Sequence, residues 1–164
     1  MESLVYSLVD FLDNSVGANL IIFIVSMMPI LELRGGILAA SLLGVDWRVA
    51  LPICIIGNIL PIPFIFLFFK KILSWLKNTR FVKFVNDFEK KIEKKSASVT
   101  KYKRWGLFFF VAIPLPGTGA WTGSMIAALL DMPLKDSIIA ILLGVLGASV
   151  IMSVLSYGVL GFFM

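Results

Sequence analysis

Glu32 and Arg34 stand two residues apart in the stretch PILELRGGILAA, and apolar sequence flanks that stretch on both sides. Either charge at the centre of a bilayer costs several kcal/mol unless it is paired or hydrated. A buried carboxylate beside an arginine can take up and release a proton, and a guanidinium can hold an oxyanion with two bonds. The pair therefore predicts a site for protons or for an anion. The alternative is that Glu32 only neutralises Arg34 and braces the fold.

A second apolar segment is interrupted in a similar way by PLPGTG, from Pro114 to Gly119. Proline removes a backbone donor and glycine permits a turn, so each interruption is expected to end one helix and begin another. The new helix starts with unsatisfied N–H groups and a positive dipole end. Two such N-termini and the Arg34 guanidinium are expected to converge. That arrangement favours a bound phosphate, a bound carboxylate or the Glu32 carboxylate itself.

The residues expected to bind protons or substrate lie in these two interruptions and in the apolar segment after the first one. They are Glu32, Arg34, Gly35, Asn58, Pro116, Gly117, Thr118, Gly119, Trp121 and Thr122. Asn58 either donates a hydrogen bond to a freed hairpin carbonyl or lines a cavity. Trp121 either closes that cavity or packs.

The residue inventory argues against an enzyme. The chain has no histidine and one cysteine, which removes histidine-based metal sites, histidine-dependent catalytic triads and an internal disulfide. It also lacks an obvious nucleophile–base pair and a metal-ligand cluster. We therefore expect no catalytic residues, no metal and no cofactor. An intramembrane enzyme acting on lipid headgroups is the least favoured hypothesis.

The composition indicates an all-α integral membrane protein with a single membrane domain over residues 1–164. Of its 164 residues, 59% are hydrophobic and 15% are charged, whereas soluble domains are about 45–50% apolar and about 25% charged. The apolar residues form long runs instead of short strands divided by polar turns. Long apolar runs are typical of membrane helices.

The lengths of the apolar runs predict two different kinds of element. The runs 48–69 and 137–163 each fit one span, which needs about 20 residues. The run 16–45 would be about 45 Å long as one helix, too long for one comfortable span and too short for two. The run 105–130 has the same design. We predict that each of these is a re-entrant helical hairpin, and the alternative is one kinked, tilted span in each case.

An internal repeat supports the hairpins. A shift of 87 residues superimposes Gly36 on Gly123, Ala40 on Ala127, Leu42 and Leu43 on Leu129 and Leu130, Arg48 on Lys135, and Gly57 on Gly144. Pro29 falls on Pro114 if the second interruption is two residues longer. Each repeat, 15–69 and 105–163, crosses the membrane once, so the second is inverted relative to the first. Inverted repeats with broken helices are typical of secondary transporters.

The charges predict the orientation. Of fifteen Lys and Arg residues, twelve lie between Lys70 and Arg104. This basic linker, 70–104, is expected to be cytoplasmic, with both termini outside a prokaryotic plasma membrane. Within it, apolar residues at three- and four-residue spacing predict an amphipathic helix on the inner leaflet or against a partner; they are Phe81, Phe84, Val85, Phe88, Ile92 and Val99. Residues 1–14 are expected to form a similar helix on the outer leaflet.

Three motifs resemble the small multi-drug export protein family, which is related to the DedA-like, or VTT-domain, membrane proteins. They are ELRGGI in the first interruption, GNILPIP from Gly57 to Pro63, and PLPGTGAWTG from Pro114 to Gly123. The resemblance extends over nearly the whole chain. It implies two inverted re-entrant hairpins and a role in transport or lipid translocation. DedA-like relatives are linked to proton-dependent physiology and to flipping lipid-carrier phosphates.

Together these features predict a proton-linked membrane transporter or translocase of a small amphipathic or anionic, lipid-phosphate-like substrate. Its expected partners are membrane lipids, that substrate and protons, but not nucleic acid; a homo-oligomer is left open. The alternative is a membrane scaffold or assembly protein that transports nothing. A cavity that reaches Glu32 and Arg34 would favour transport.

Overall fold

The structure, a computed structural model, describes residues 17–158 and is all-helical over that range. Its helices are α1 (Ala18–Met27), α2 (Glu32–Leu42), α3 (Trp47–Ile59), α4 (Ile62–Lys77), α5 (Val82–Lys95), α6 (Ala97–Ala112), α7 (Ala120–Leu129) and α8 (Leu134–Ser153), with a π-helical turn at Val154–Gly158. The expected all-helical architecture is therefore confirmed for the described residues. The predicted N-terminal helix and both chain termini lie outside them.

Two of the helical segments are long and apolar enough to cross a membrane. Trp47–Lys77 comprises α3 and α4 and has 31 residues with a mean hydropathy of 2.3. Leu134–Gly158 comprises α8 and the π-helical turn and has 25 residues with a mean hydropathy of 2.7. A turn at Leu60 and Pro61 divides the first segment, because Pro61 has no N–H to donate. This segment continues past the predicted end at Phe69 to Lys77.

The first interruption is a tight connection between two helices that pack closely together. The chain is extended at Met28, and the Glu32 N–H donates to the Met28 carbonyl at 2.9 Å, so that α2 begins at once. Gly36 permits the close approach of α2 to α1. A Cβ on Gly36 would lie 1.8 Å from Ser26 Oγ on α1. The absence of a side chain at Gly36 therefore lets α1 and α2 pack closely.

The second interruption is longer and its helices diverge. The chain leaves α6 at Ile113 and enters α7 at Ala120. Gly117 and Gly119 adopt φ values of +75° and +136°, which residues other than glycine rarely adopt. Helix α6 packs mainly against α8, and α7 packs mainly against α4. The two helices that flank the second interruption therefore contact each other less than the two helices that flank the first.

Backbone features recur at the spacing that the sequence repeat predicts. Positive φ values occur at Glu32 and Gly119 and again at Gly44 and Asp131, and each pair is 87 residues apart. The helix ends also match. The Val45 N–H donates to the Ala40 carbonyl at 2.9 Å, and the Met132 N–H donates to the Ala127 carbonyl at 3.0 Å. These are the paired ends of α2 and α7, and each closes its helix with a bond typical of a Schellman motif.

The glycine contacts recur as well. A Cβ on Gly57 in α3 would lie 2.8 Å from the Phe23 carbonyl oxygen on α1. A Cβ on Gly144 in α8 would lie 3.0 Å from the Phe108 carbonyl oxygen on α6. Each long helix thus approaches the first helix of its own half through a glycine. In both halves this contact supports the helix that leads into the interruption.

Helix α5 is amphipathic, and part of its apolar face packs on the protein. Val85 and Ile92 are buried, and the Phe88 ring meets the Phe69 ring of α4 edge-on at 6.4 Å between centroids. A salt bridge from Lys77 to Glu89 of 2.7 Å reinforces this contact. Phe81 and Phe84 stay exposed. The helix is therefore docked against α4 and α7, and the exposed phenylalanines at its start are left to contact lipid or a partner.

Candidate functional site

Glu32 connects the first interruption to the start of α7. Its Oε2 accepts a hydrogen bond from the Ala120 N–H at 3.0 Å, and its Oε1 accepts one from the Trp121 N–H at 3.1 Å. The residue is only 5% exposed. A carboxylate in this position satisfies two of the free donors of α7 and lies at the positive end of its dipole. Glu32 therefore caps a helix that begins 88 residues later in the chain.

The backbone at both ends of this contact is unusual. Glu32 has a φ of +51°, a conformation that costs a residue with a side chain of order 1–3 kcal/mol. Opposite it, Gly119 has a φ of +136°, and a Cβ on Gly119 would lie 2.0 Å from Glu32 Oε2. Glycine is therefore required at position 119 for two reasons, its backbone conformation and the space that the carboxylate fills.

Arg34 holds the opposite end of the second interruption. Its Nη1 donates to the carbonyls of Leu115 at 2.6 Å and Thr118 at 3.0 Å. Its Nη2 donates to the Ile113 carbonyl at 3.1 Å, to Thr118 Oγ1 at 2.9 Å and, more weakly, to the Val111 carbonyl at 3.5 Å. These acceptors include carbonyls that the end of α6 leaves free. A cation is favourable at that negative dipole end.

Glu32 and Arg34 therefore act on the two ends of the same interruption. Within residues 17–158 the structure shows no salt bridge between them. The expected convergence of two helix N-termini and a guanidinium on one anion is not what the geometry shows, because Arg34 binds carbonyl oxygens. Of the three occupants considered for the N-terminus of α7, the Glu32 carboxylate is the one in place.

A narrow cavity adjoins both charges and has no room for a water molecule. Its lining includes Glu32, Arg34, Leu33, Asn58, Val111, Gly119, Ala120, Val145 and Ala148. Asn58 is 2% exposed, and its Oδ1 has no hydrogen-bond donor within the described part of the chain. Asn58 thus lines the cavity, the second of the two roles considered for it. The structure has no aqueous or lipid-sized cavity at Glu32 and Arg34 among these residues.

The other predicted residues are divided between this site and its surroundings. Gly35 packs against Leu31 and Val25, away from the cavity. Pro116 is exposed, and the Gly117 carbonyl accepts a hydrogen bond of 3.0 Å from Lys95 Nζ. Thr122 lies next to a different cavity, on the α5 side of α7.

Sequence reasoning missed the carbonyl groups that bind Arg34 and the lysine that binds Gly117. The acceptors at Val111, Ile113 and Leu115 are backbone atoms, and residue type carries no signal for them. Lys95 is the last residue of α5, where the chain must fold back into α6, and that position is the signal the sequence offers.

The family model of small multi-drug export proteins matches residues 32–151. That range begins at Glu32, where the first interruption ends, and contains the second interruption, the segment Trp47–Lys77, most of Leu134–Gly158 and every predicted site residue. The chain belongs to this family. Membership and the two apolar segments together make it a membrane protein of a group described by export. No curated protein and no solved structure matches it.

Proposed function

We propose that this family member is a proton-linked transporter, not an enzyme, and that it moves a small amphipathic or anionic substrate past the two interruptions. One observation carries the proposal. A buried carboxylate, Glu32, is bound to two N–H groups of α7 and adjoins the cationic Arg34 that holds the end of α6. A single proton can therefore act on the contact that joins the two halves.

Protonation of Glu32 would change that contact in two ways. It removes the negative charge at the positive end of α7, and it converts one acceptor oxygen into a hydroxyl that cannot accept equally well from an N–H. The Ala120 or Trp121 N–H that loses its acceptor would then be free to bind an oxyanion of the substrate. Because Glu32 and the substrate compete for the same donors, proton binding and anion binding favour each other.

We further propose that the two halves are inverted repeats and that each interruption is the tip of a re-entrant hairpin. The recurrence of positive φ values, helix ends and glycine contacts at the sequence-repeat spacing supports equivalent halves. The basic linker supports a cytoplasmic location for α5. Non-helical backbone at mid-depth is tolerated where protein covers it, and here Arg34 and Glu32 provide that cover.

A membrane scaffold remains the second candidate, because a specific observation favours it. The cavity at Glu32 and Arg34 has no room for water, and both charges are fully engaged with backbone groups of the second interruption. An arrangement of this kind also serves a static brace. The two candidates differ in whether Glu32 must lose and regain its proton.

Flux through reconstituted vesicles tests the proposal. Vesicles with an imposed pH gradient would be loaded with anionic amphiphiles or with lipophilic cations, and the two substrate classes compared side by side. We expect gradient-driven flux of the anionic class, and Glu32→Gln is expected to abolish it while the protein still folds. Glu93→Gln, at an exposed position of α5, is the control and should leave flux unchanged. Gradient-driven flux that survives in Glu32→Gln would reject Glu32 as the proton carrier.

A further inference from the structure

Two cavities meet at Trp121 of α7. The first, here called the lateral groove, has a volume of about 720 Å³ and lies between α1, α4 and α7. The second, here called the basic cavity, has a volume of about 500 Å³ and lies between α5 and α7. Pro29, Trp121 and Met125 line both of them. The two cavities are therefore adjoining parts of one surface.

The lateral groove is apolar. Its α4 side is built from Phe64, Phe68 and Ile72, which are exposed on a long apolar helix. Its floor is formed by the α7 residues Trp121 and Met125. An exposed apolar face on a membrane-crossing segment meets hydrocarbon, so the groove opens toward the acyl chains of the bilayer. A hydrocarbon chain is the chemistry that fits it.

The basic cavity has the opposite character. Lys91, Lys94 and Lys95 line it, and among the described residues no carboxylate lies within salt-bridge distance of any of the three. Lys95 is engaged with the Gly117 carbonyl. The ammonium groups of Lys91 and Lys94 contribute positive charge that the surrounding protein does not neutralise. An oxyanion is the complementary ligand.

Trp121 joins the two cavities and has a donor to offer. Its indole Nε1–H is shielded from solvent and finds no acceptor within residues 17–158. A buried donor without a partner costs free energy, and a ligand oxygen reached by a modest turn of the indole would satisfy it. The backbone N–H of the same residue is the one bound to Glu32. A ligand at Trp121 would therefore adjoin the proposed proton site.

We propose that the lateral groove and the basic cavity together bind an anionic amphiphile of the bilayer. Its oxyanion headgroup lies between the α5 lysines and Trp121, and its hydrocarbon chain lies in the lateral groove. The role of this site rests on the proposed function, because the amphiphile is taken to be the transported substrate and the groove to be its entry from the membrane. The binding itself is measured without transport.

Fluorescence quenching by brominated lipids tests this site directly. A variant with Trp47→Phe, Trp75→Phe and Trp105→Phe leaves Trp121 as the one tryptophan. In mixed vesicles, brominated phosphatidylglycerol should quench Trp121 at a roughly fivefold lower mole fraction than brominated phosphatidylcholine, because the α5 lysines attract the anionic headgroup. A matched variant that keeps only Trp47, which lies outside the basic linker, reports ordinary lipid contact and should show little preference. Equal quenching of Trp121 by both lipids would overturn the proposal.

Two pairs of lysine substitutions separate the site from general surface attraction. Lys91→Gln with Lys94→Gln should remove the preference at Trp121, whereas Lys83→Gln with Lys90→Gln removes the same charge from α5 outside the cavity and should retain it. Equal losses in both variants would reduce the effect to surface charge and overturn the site. Inorganic phosphate is the soluble competitor. If millimolar phosphate abolishes the preference and the same concentration of chloride does not, the oxyanion alone accounts for the binding, the lateral groove adds nothing, and the amphiphile assignment is overturned. A preference that survives phosphate supports it. A failed flux assay would not change these results.

Discussion

The two interruptions occupy equivalent places in their halves but contribute opposite things. At the matched positions 32 and 119, the first half has a glutamate and the second has a glycine, and both backbones adopt a positive φ. The first interruption supplies charged side chains, and the second supplies N–H and carbonyl groups to bind them. The two interruptions can therefore bind each other, because the first has charged side chains where the second has exposed backbone groups.

The two interruptions also differ in what holds them in place. Helices α1 and α2 approach so closely at Gly36 that no Cβ fits between them. Helices α6 and α7 also approach through a glycine, since a Cβ on Gly123 would lie 2.8 Å from Val111 Cγ2, but they share fewer contacts than α1 and α2. The second interruption is held in addition by Arg34, Glu32 and Lys95. Weakening those contacts should therefore loosen the second half and leave the first intact.

The largest effect is expected at Gly119, where the two halves touch. Gly119→Ala places a Cβ against the Glu32 carboxylate at a φ that alanine disfavours, so we expect a loss of more than about 3 kcal/mol of stability. Gly44→Ala is the control, since its φ is +69° with open space around it, and it should cost about 1 kcal/mol. Denaturant titration in detergent micelles measures both. Similar values for the two variants would mean that contact with Glu32 is unimportant.

Removing the guanidinium should come next in size. Arg34→Ala leaves several carbonyls of the second interruption without donors and should cost about 3–5 kcal/mol. If Glu32 and Arg34 served mainly to neutralise each other, the double variant Glu32→Gln with Arg34→Met would recover stability. Because each binds different backbone groups, we expect the double variant to be less stable than either single variant. Recovery in the double variant would contradict the division of roles between the two residues.

A smaller effect is expected from the hydroxyl of Thr118. It accepts from Arg34 Nη2 at 2.9 Å and itself lies 2.8 Å from the Leu115 carbonyl, to which it can donate. Thr118→Val keeps the shape but removes these bonds and should cost about 1 kcal/mol. Limited proteolysis should then show faster cleavage near the second interruption than near Pro29. Equal acceleration at both sites would show that the two halves open together.

The sequence predicted the elements of this fold better than their mutual contacts. The two interruptions were readable because Pro29, Pro114 and their neighbouring glycines cannot continue a helix. The charged pair was readable because Glu32 and Arg34 are costly in apolar surroundings. What Arg34 binds was not readable, since its acceptors are main-chain carbonyls. The packing of α5 was equally hidden, because an apolar face at helical spacing fits a lipid surface and a protein surface alike.

The smallest perturbation tests whether the halves face opposite sides. Cysteine at Arg48, the second residue of α3, should react with an impermeant thiol reagent in intact cells, and cysteine at Lys135, its partner in the repeat, should not. Both positions are exposed in the structure, so access depends on the membrane alone. The buried Cys54 is first replaced by alanine. Labelling of both sites would mean that the repeats are parallel and would remove the inversion.

The cavity at Glu32 and Arg34, which has no room for water, also bears on the leakage of protons. A continuous file of water conducts protons by hopping between neighbouring molecules, and no water fits beside this carboxylate. The described residues therefore provide no such file past Glu32. In the transporter proposed above, charge would pass only with a change of shape that opens the cavity, one cycle at a time. Such a centre would limit the throughput to that of a carrier and prevent the leak of an open pore.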